Sequence, residues 1–163
     1  METEALLTLL SRGAGKEYIG ESISQIEHAL QAANAAKRAM ASETLIIASL
    51  LHDIGHLSQE EKGKMPGLGK EDHEQLGADI VRAAGLNDDI AQLVEMHVDA
   101  KRYLVTSNSD YGTKLSSASK ATLDLQGGAM TPNEADAFKG HRLFKDALKL
   151  RSWDDAAKRQ DTI

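Results

Sequence analysis

Leu50-Leu51-His52-Asp53-Ile54-Gly55-His56 sets a charged dipeptide inside a stretch that is otherwise apolar from Leu45 to Leu57. Burying an unpaired carboxylate is costly, so a His-Asp pair in this setting calls for a metal or ion partner. Ser42 can cap a helix that runs to about Leu57, apolar nearly all round and therefore central. Three further histidines, His28, His73 and His97, lie at wide intervals on either side of the pair.

The neighbouring segments also read as helices. Leu6, Leu7, Leu9 and Leu10 mark a short amphipathic helix over about residues 4–11, ended by Gly13 and Gly15. Ser22 with Gln25 three residues on suggests a capping box for a helix over about residues 23–40. There Ile23, Ile26, Leu30 and Ala33 form one stripe, while His28 lies among Ser24, Ala32 and Ala35, small enough for other helices to approach. Residues 62–70 read as a polar loop, 71–84 as a helix closed by Gly85, and Asn87 or Asp88 opens a helix to about Leu104. A polar segment from Thr106 to Thr113 precedes a helix over about 116–126, stopped by Gly127-Gly128. Thr131-Pro132-Asn133-Glu134 combines a cap, a first-turn proline and a capping-box glutamate. It starts a last helix to about residue 158, with a break near Gly140. No β-alternation competes, so the expectation is one all-α domain over residues 1–163, with a metal-site core over about 17–158.

Composition bounds the chemistry. A chain of 163 residues can bury a real core. With no cysteine, thiolate sites are excluded and any metal is held by nitrogen and oxygen. A net charge of -6 with no basic stripe argues against nucleic acid as a partner. No apolar run reaches the length of a membrane span, and Met1-Glu2-Thr3-Glu4 is too acidic for a signal peptide, so a soluble cytoplasmic protein is expected.

His28, His52, Asp53, His73 and His97 fall on four predicted helices, which is how a helical bundle assembles a metal site. Successive helix residues diverge by about 100°, so His52 and Asp53 can spread around a metal pair, with Asp53 bridging through its two oxygens. A further carboxylate comes from Trp153-Asp154-Asp155, where spacing does not separate the two aspartates; His141 reads as an ordinary residue. Four imidazoles with two carboxylates suit iron, zinc, manganese, nickel or cobalt better than magnesium or calcium. Two divalent ions against two carboxylates leave a net positive site, suited to a small anionic oxygen ligand such as phosphate or phosphonate.

The order His28, His52-Asp53 and a late Asp154 resembles the HD-domain superfamily, mostly metal-dependent phosphohydrolases with an all-α fold. His73 and His97 match its dinuclear members. Within those, the chain looks most like the mixed-valent di-iron oxygenases, which include myo-inositol oxygenase and the oxygenases that cleave the carbon–phosphorus bond of hydroxylated aminoalkylphosphonates. The likeness runs through Tyr18-Ile19-Gly20-Glu21 with Ser24 to Gln31, Leu51 to His56, His97 to Tyr103 and Leu150 to Lys158. Inositol oxygenases carry a lysine where this chain has His56.

The resemblance implies that His28, His52, Asp53 and Asp154 hold one iron, and that Asp53 bridges to a second iron held also by His73 and His97. It selects Asp154 over Asp155. It implies that His56 and Lys101 contact the phosphonate; His56 follows His52, and Lys101 follows His97, by one helical turn. Alone, Lys101 would read as a solvated lysine. Tyr18 and Glu21 would form a lid near the open metal position, Glu21 meeting the substrate's amino group; without the resemblance Glu21 reads as a first-turn acid favoured by the helix dipole. Ser119, Thr122 and Gln126 recur at helical spacing, a polar face that can bind substrate or simply meet solvent.

The implied activity is oxidative cleavage of a 1-hydroxy-2-(amino or trimethylamino)ethylphosphonate to phosphate and glycine or glycine betaine, with two iron ions and molecular oxygen as co-substrate. The alternative is a phosphohydrolase in which the same ligands polarise a phosphate ester and activate a hydroxide.

Overall fold

The computed structural model describes residues 3–12, 23–57, 64, 65, 69, 70 and 72–158. The chain is all-α: α1 (Thr3–Ser11), α2 (Gln25–Arg38), α3 (Glu43–Leu51), α4 (His73–Ala83), α5 (Asp88–Ser107), α6 (Ser109–Lys114), α7 (Ser117–Leu125), α8 (Pro132–Lys139) and α9 (Phe144–Ala156). Tyr18, Glu21 and the expected Ser22 cap lie outside the described residues.

α5 is the axis, packing against α3, α4 and α9, while α2 lies on α3 and α9. Its burial follows from its pattern. Ile90, Leu93, Val94, His97 and Lys101 recur at three- and four-residue spacing and form one buried stripe. The same spacing buries His28, Ala32 and Ala36 on α2, and Ala147, Leu150, Arg151 and Asp154 on α9. On α2 the histidine side is thus the deeper one, since Ile26, Leu30 and Ala33 are only half-buried. Leu45, Ala48, Leu51, Ile54, Ala78, Val81, Leu93 and Leu150 belong to one continuous apolar cluster, so the polar stripes converge on its centre.

Several expectations are corrected. The α2 capping box is formed by Ser24 and Glu27, not by Ser22 and Gln25. The third helix does not reach Leu57: α3 ends at Leu51, His52 and Asp53 stand in a turn, and Ile54–Leu57 form a 3₁₀ turn. Residues 62–70 are not wholly irregular, because Lys64–Met65 (β1) and Gly69–Lys70 (β2) pair antiparallel. The polar segment 106–113 contains α6, capped by the Asn108 side chain, which accepts from the Asp110 N–H at 3.1 Å. The break expected near Gly140 is present and divides the last helical stretch into α8 and α9. The capping box at Thr131 and Glu134 is present as expected, and Gly127 and Gly128 stop α7 with positive φ of 112° and 70°.

One close approach fixes the centre. A Cβ on Gly55 would stand 1.9 Å from the His73 carbonyl oxygen and 2.9 Å from the Gly77 nitrogen. Only glycine lets the 3₁₀ turn after Asp53 lie directly on the backbone of α4.

Candidate metal centre

Five elements deliver the polar cluster. α2 carries His28, the turn after α3 carries His52 and Asp53, α4 and α5 bring His73 and His97, and α9 brings Asp154. All six are buried.

Their atoms form two groups that share Asp53. In the first, His28 Nε2 lies 3.0 Å from His52 Nε2 and 2.9 Å from Asp154 Oδ1, and His52 Nε2 lies 3.2 Å from Asp154 Oδ1. Asp53 Oδ2 closes this group at 3.3 Å from His28 Nε2 and 3.4 Å from His52 Nε2. In the second, His73 Nε2 and His97 Nε2 lie 3.0 Å apart, with Asp53 Oδ1 at 3.0 Å and 3.2 Å from them. Ligand atoms bonded at about 2.1 Å to one ion stand about 3.0 Å apart on adjacent octahedral positions and about 3.4 Å apart in a tetrahedron. Both groups have that spacing. The first offers two imidazoles and two carboxylates; the second offers two imidazoles and one carboxylate, the facial arrangement that leaves positions open.

The outer nitrogens support this polarity. His28 Nδ1 donates to the Ala157 carbonyl at 2.7 Å, His52 Nδ1 to that of Ser49 at 2.6 Å, and His97 Nδ1 to that of Val94 at 2.6 Å. A proton on Nδ1 leaves the Nε2 lone pair directed at the centre, the tautomer a metal needs.

Electrostatics point the same way. Burial on its own would push Asp53 up, but the His52 charge and hydrogen bonds from His28, His52 and His73 hold its carboxyl well below the usual range. Asp154 is likewise held well down against burial, chiefly by Arg151 and His52. Burial disfavours charge on His28 and His52, yet the two carboxylates raise both. The carboxylates are therefore anionic and seek cations at the Nε2 face.

His56 stands at the rim. Its ring stacks on His73 with centroids 3.9 Å apart and planes 15° apart, and its Nε2 lies 4.0 Å from Asp53 Oδ1. Burial, then the His73 charge, pushes it well below the ordinary histidine value, so it is neutral. It reaches this place through the 3₁₀ turn, not through an unbroken helix from His52. Lys101 is buried one turn after His97, with Nζ donating to the Ser119 carbonyl at 3.1 Å and to Thr122 Oγ1 at 3.0 Å. Ser119 Oγ accepts from Arg151 at 3.2 Å, and Gln126 caps the end of α7 with a buried Oε1 that has no hydrogen-bond partner among the described residues. The α7 polar face is thus turned inward.

Arg151 is the group that the sequence reading missed. It is buried and holds Asp154 Oδ2 at 3.0 Å and Asp155 Oδ1 at 2.7 Å. Asp155 is therefore not part of the cluster; it pairs with Arg151 and accepts from the Tyr111 hydroxyl. The signal was available, because an arginine three and four residues before two aspartates on a helix can clasp both. Arg151→Met should cost about 3–5 kcal/mol of stability, since it strands the buried Asp154 carboxylate. Urea unfolding of the metal-free protein would measure this; a change within error would remove Arg151 from the framework.

The HD domain family signature matches residues 25–138. The chain is 41% identical over 151 residues to "Hydroxymethylphosphonate dioxygenase" of Gimesia maris, covering 91% of this chain and 75% of that protein. It is 37% identical over 155 residues to "[1-hydroxy-2-(trimethylamino)ethyl]phosphonate dioxygenase (glycine-betaine-forming)" of Leisingera caerulea, covering 94% and 78%. An uncharacterized protein of Acanthamoeba polyphaga mimivirus is 40% identical over 155 residues, covering 94% and 71%. The family and the His/Asp cluster together imply a metal. On this match and these identities, the chain belongs to the HD-domain family, in the group that contains the phosphonate dioxygenases.

Proposed function

We propose that this chain is a two-iron oxygenase that cleaves the carbon–phosphorus bond of a 1-hydroxyalkylphosphonate with dioxygen. The observation that carries the reading is Asp53, whose Oδ2 faces one histidine–carboxylate set and whose Oδ1 faces another. His28, His52, Asp53 and Asp154 would hold one ion; His73, His97 and Asp53 would hold the other. Bound iron would supply the one-electron chemistry that dioxygen requires.

Overall, R–CH(OH)–PO₃ and O₂ give R–COOH and phosphate. The carbon is oxidised, the carbon–phosphorus bond breaks, and the two atoms of O₂ balance the products. The chain's own residues bind and orient the anion. Two carboxylates facing two divalent ions leave excess positive charge, which favours a phosphonate dianion. Lys101 supplies a buried ammonium, anchored to α7 through two of its three donors. His56, held neutral, offers one N–H at the rim of the second group. Fixing the anion on such groups aligns the hydroxyl-bearing carbon without further rearrangement.

The two named relatives support two substrates: a hydroxymethylphosphonate, which would give formate, and the 2-trimethylamino compound, which would give glycine betaine. The 2-amino compound, which would give glycine, completes the panel. Oxygen uptake with all three, by the iron-loaded protein, tests the reading. Uptake matched by phosphate release with at least one is expected; hydrolysis of simple phosphate esters with no uptake would overturn it.

Lys101 gives a pH dependence. Burial, then the Arg151 charge, lowers its pKa to about 7. An anion favours the protonated form, so phosphonate binding should take up a proton above that value and weaken as pH rises through it. Lys101→Ala should raise KM about 10- to 100-fold, the loss of a charged hydrogen bond, and abolish that limb of the profile. A mutant with unchanged KM and an unchanged profile would exclude Lys101 from the anion site.

A further inference from the structure

Three of the four clustered histidines tie Nδ1 to a backbone carbonyl, and His73 does not. Its Nδ1 is buried and has no hydrogen-bond partner among the described residues. Glu74 Oε2 lies 3.6 Å away and is itself buried and without a hydrogen-bond partner among the described residues. A donor and an acceptor, both orphaned and both buried, thus face each other just beyond hydrogen-bonding reach. A small side-chain rotation closes the gap.

The local backbone shows why His73 lacks a carbonyl partner. His52 and His97 bond the carbonyl three residues before them, His52 at the end of α3 and His97 within α5. His73 is the first residue of α4, preceded by Asp72 with a left-handed φ of 55°. No helical turn precedes it to offer such a carbonyl. The next side chain brings a carboxylate there instead.

We propose that Glu74 is the positioning residue of the second metal, its carboxylate accepting a hydrogen bond from the Nδ1–H of His73 in a carboxylate–histidine–metal arrangement. This rests on the two-metal reading above. A carboxylate partner makes an imidazole a stronger donor than a carbonyl partner does. The two groups therefore differ in more than ligand count: the first is served by carbonyl-supported histidines, the second by one carbonyl-supported and one carboxylate-supported histidine. That asymmetry stabilises the oxidised state of the ion held by His73 and His97 relative to a site without Glu74.

Stepwise anaerobic iron(II) titration of the full chain, with potentiometry of the loaded protein, tests this in wild type, Glu74→Gln and Glu74→Ala. Glu74→Ala should weaken the second iron about 10- to 100-fold and leave the first unchanged. Glu74→Gln, which keeps an acceptor without the charge, should lie between and raise the midpoint potential. A residue that merely favours the α4 dipole would change thermal stability and move neither readout. Equal weakening of both irons, or no change in either variant, would overturn the role. A wild-type chain that binds a single ion would instead overturn the two-metal reading, and this role with it.

Discussion

Asp53→Asn is expected to remove both metals together. Each Asp53 oxygen closes a different group, Oδ2 at 3.3 Å from His28 Nε2 and Oδ1 at 3.0 Å from His73 Nε2. An amide can present one oxygen, to one group only, and brings no negative charge. Each ion should bind more weakly by more than the ~10- to 100-fold that losing a supporting residue costs, and turnover should vanish. His28→Ala is the contrast: it touches only the first group, so the second ion should persist. Metal analysis after gel filtration, with circular dichroism to establish folding, reads both. An Asp53→Asn protein that keeps one ion at full affinity would show that Asp53 does not bridge.

Gly55→Ala carries the second large effect, through packing alone. The new methyl would meet the His73 carbonyl at 1.9 Å and the Gly77 nitrogen at 2.9 Å, both backbone atoms that a rotamer change does not relieve. Either the 3₁₀ turn or the start of α4 must move; the first directly follows Asp53 and the second begins at His73. Forced overpacking costs about 1–3 kcal/mol, occasionally more. The displacement falls on the 3.0 Å contact between Asp53 and His73, so the second ion should be lost before the first. Chemical unfolding of the metal-free chain and metal stoichiometry give two independent readings. A protein as stable as the wild type with two tightly held ions would show that the close approach is not required.

The fold and the cluster differ in how legible they were. Helix starts that depend on short-range chemistry were readable: Ser42, Asn87, Ser116 and Thr131 each cap the helix expected after them. The burial of Lys101 was not: it continues the spacing of Ile90, Leu93, Val94 and His97, yet alone it reads as a solvated lysine. The end of α3 was not. Leu50 to Leu57 keeps an apolar character that suits a continuing helix, and what stops it is tertiary: Gly55 lying on α4. The turn at His52 and Asp53 lets Asp53 look both ways, so the place where local pattern failed is the place where the two ligand groups meet.

The supporting shell was the least visible. Arg151 reads as one more helix-surface charge until α9 is seen to bury it against Asp154, Asp155 and Ser119. Glu74 reads as a first-turn acid until its oxygen is found beside His73. Periodicity reports which face of a helix is buried; it does not report what a polar group on that face will touch.

The central claim is oxidative cleavage at a two-iron centre. Turnover of a 1-hydroxyalkylphosphonate under ¹⁸O₂ tests it most directly, with the carboxylic acid and the phosphate both analysed by mass. The expected result is ¹⁸O in the carboxyl group, with oxygen consumed in step with phosphate released. Phosphate formed without oxygen uptake, its new oxygen drawn only from water, would contradict it.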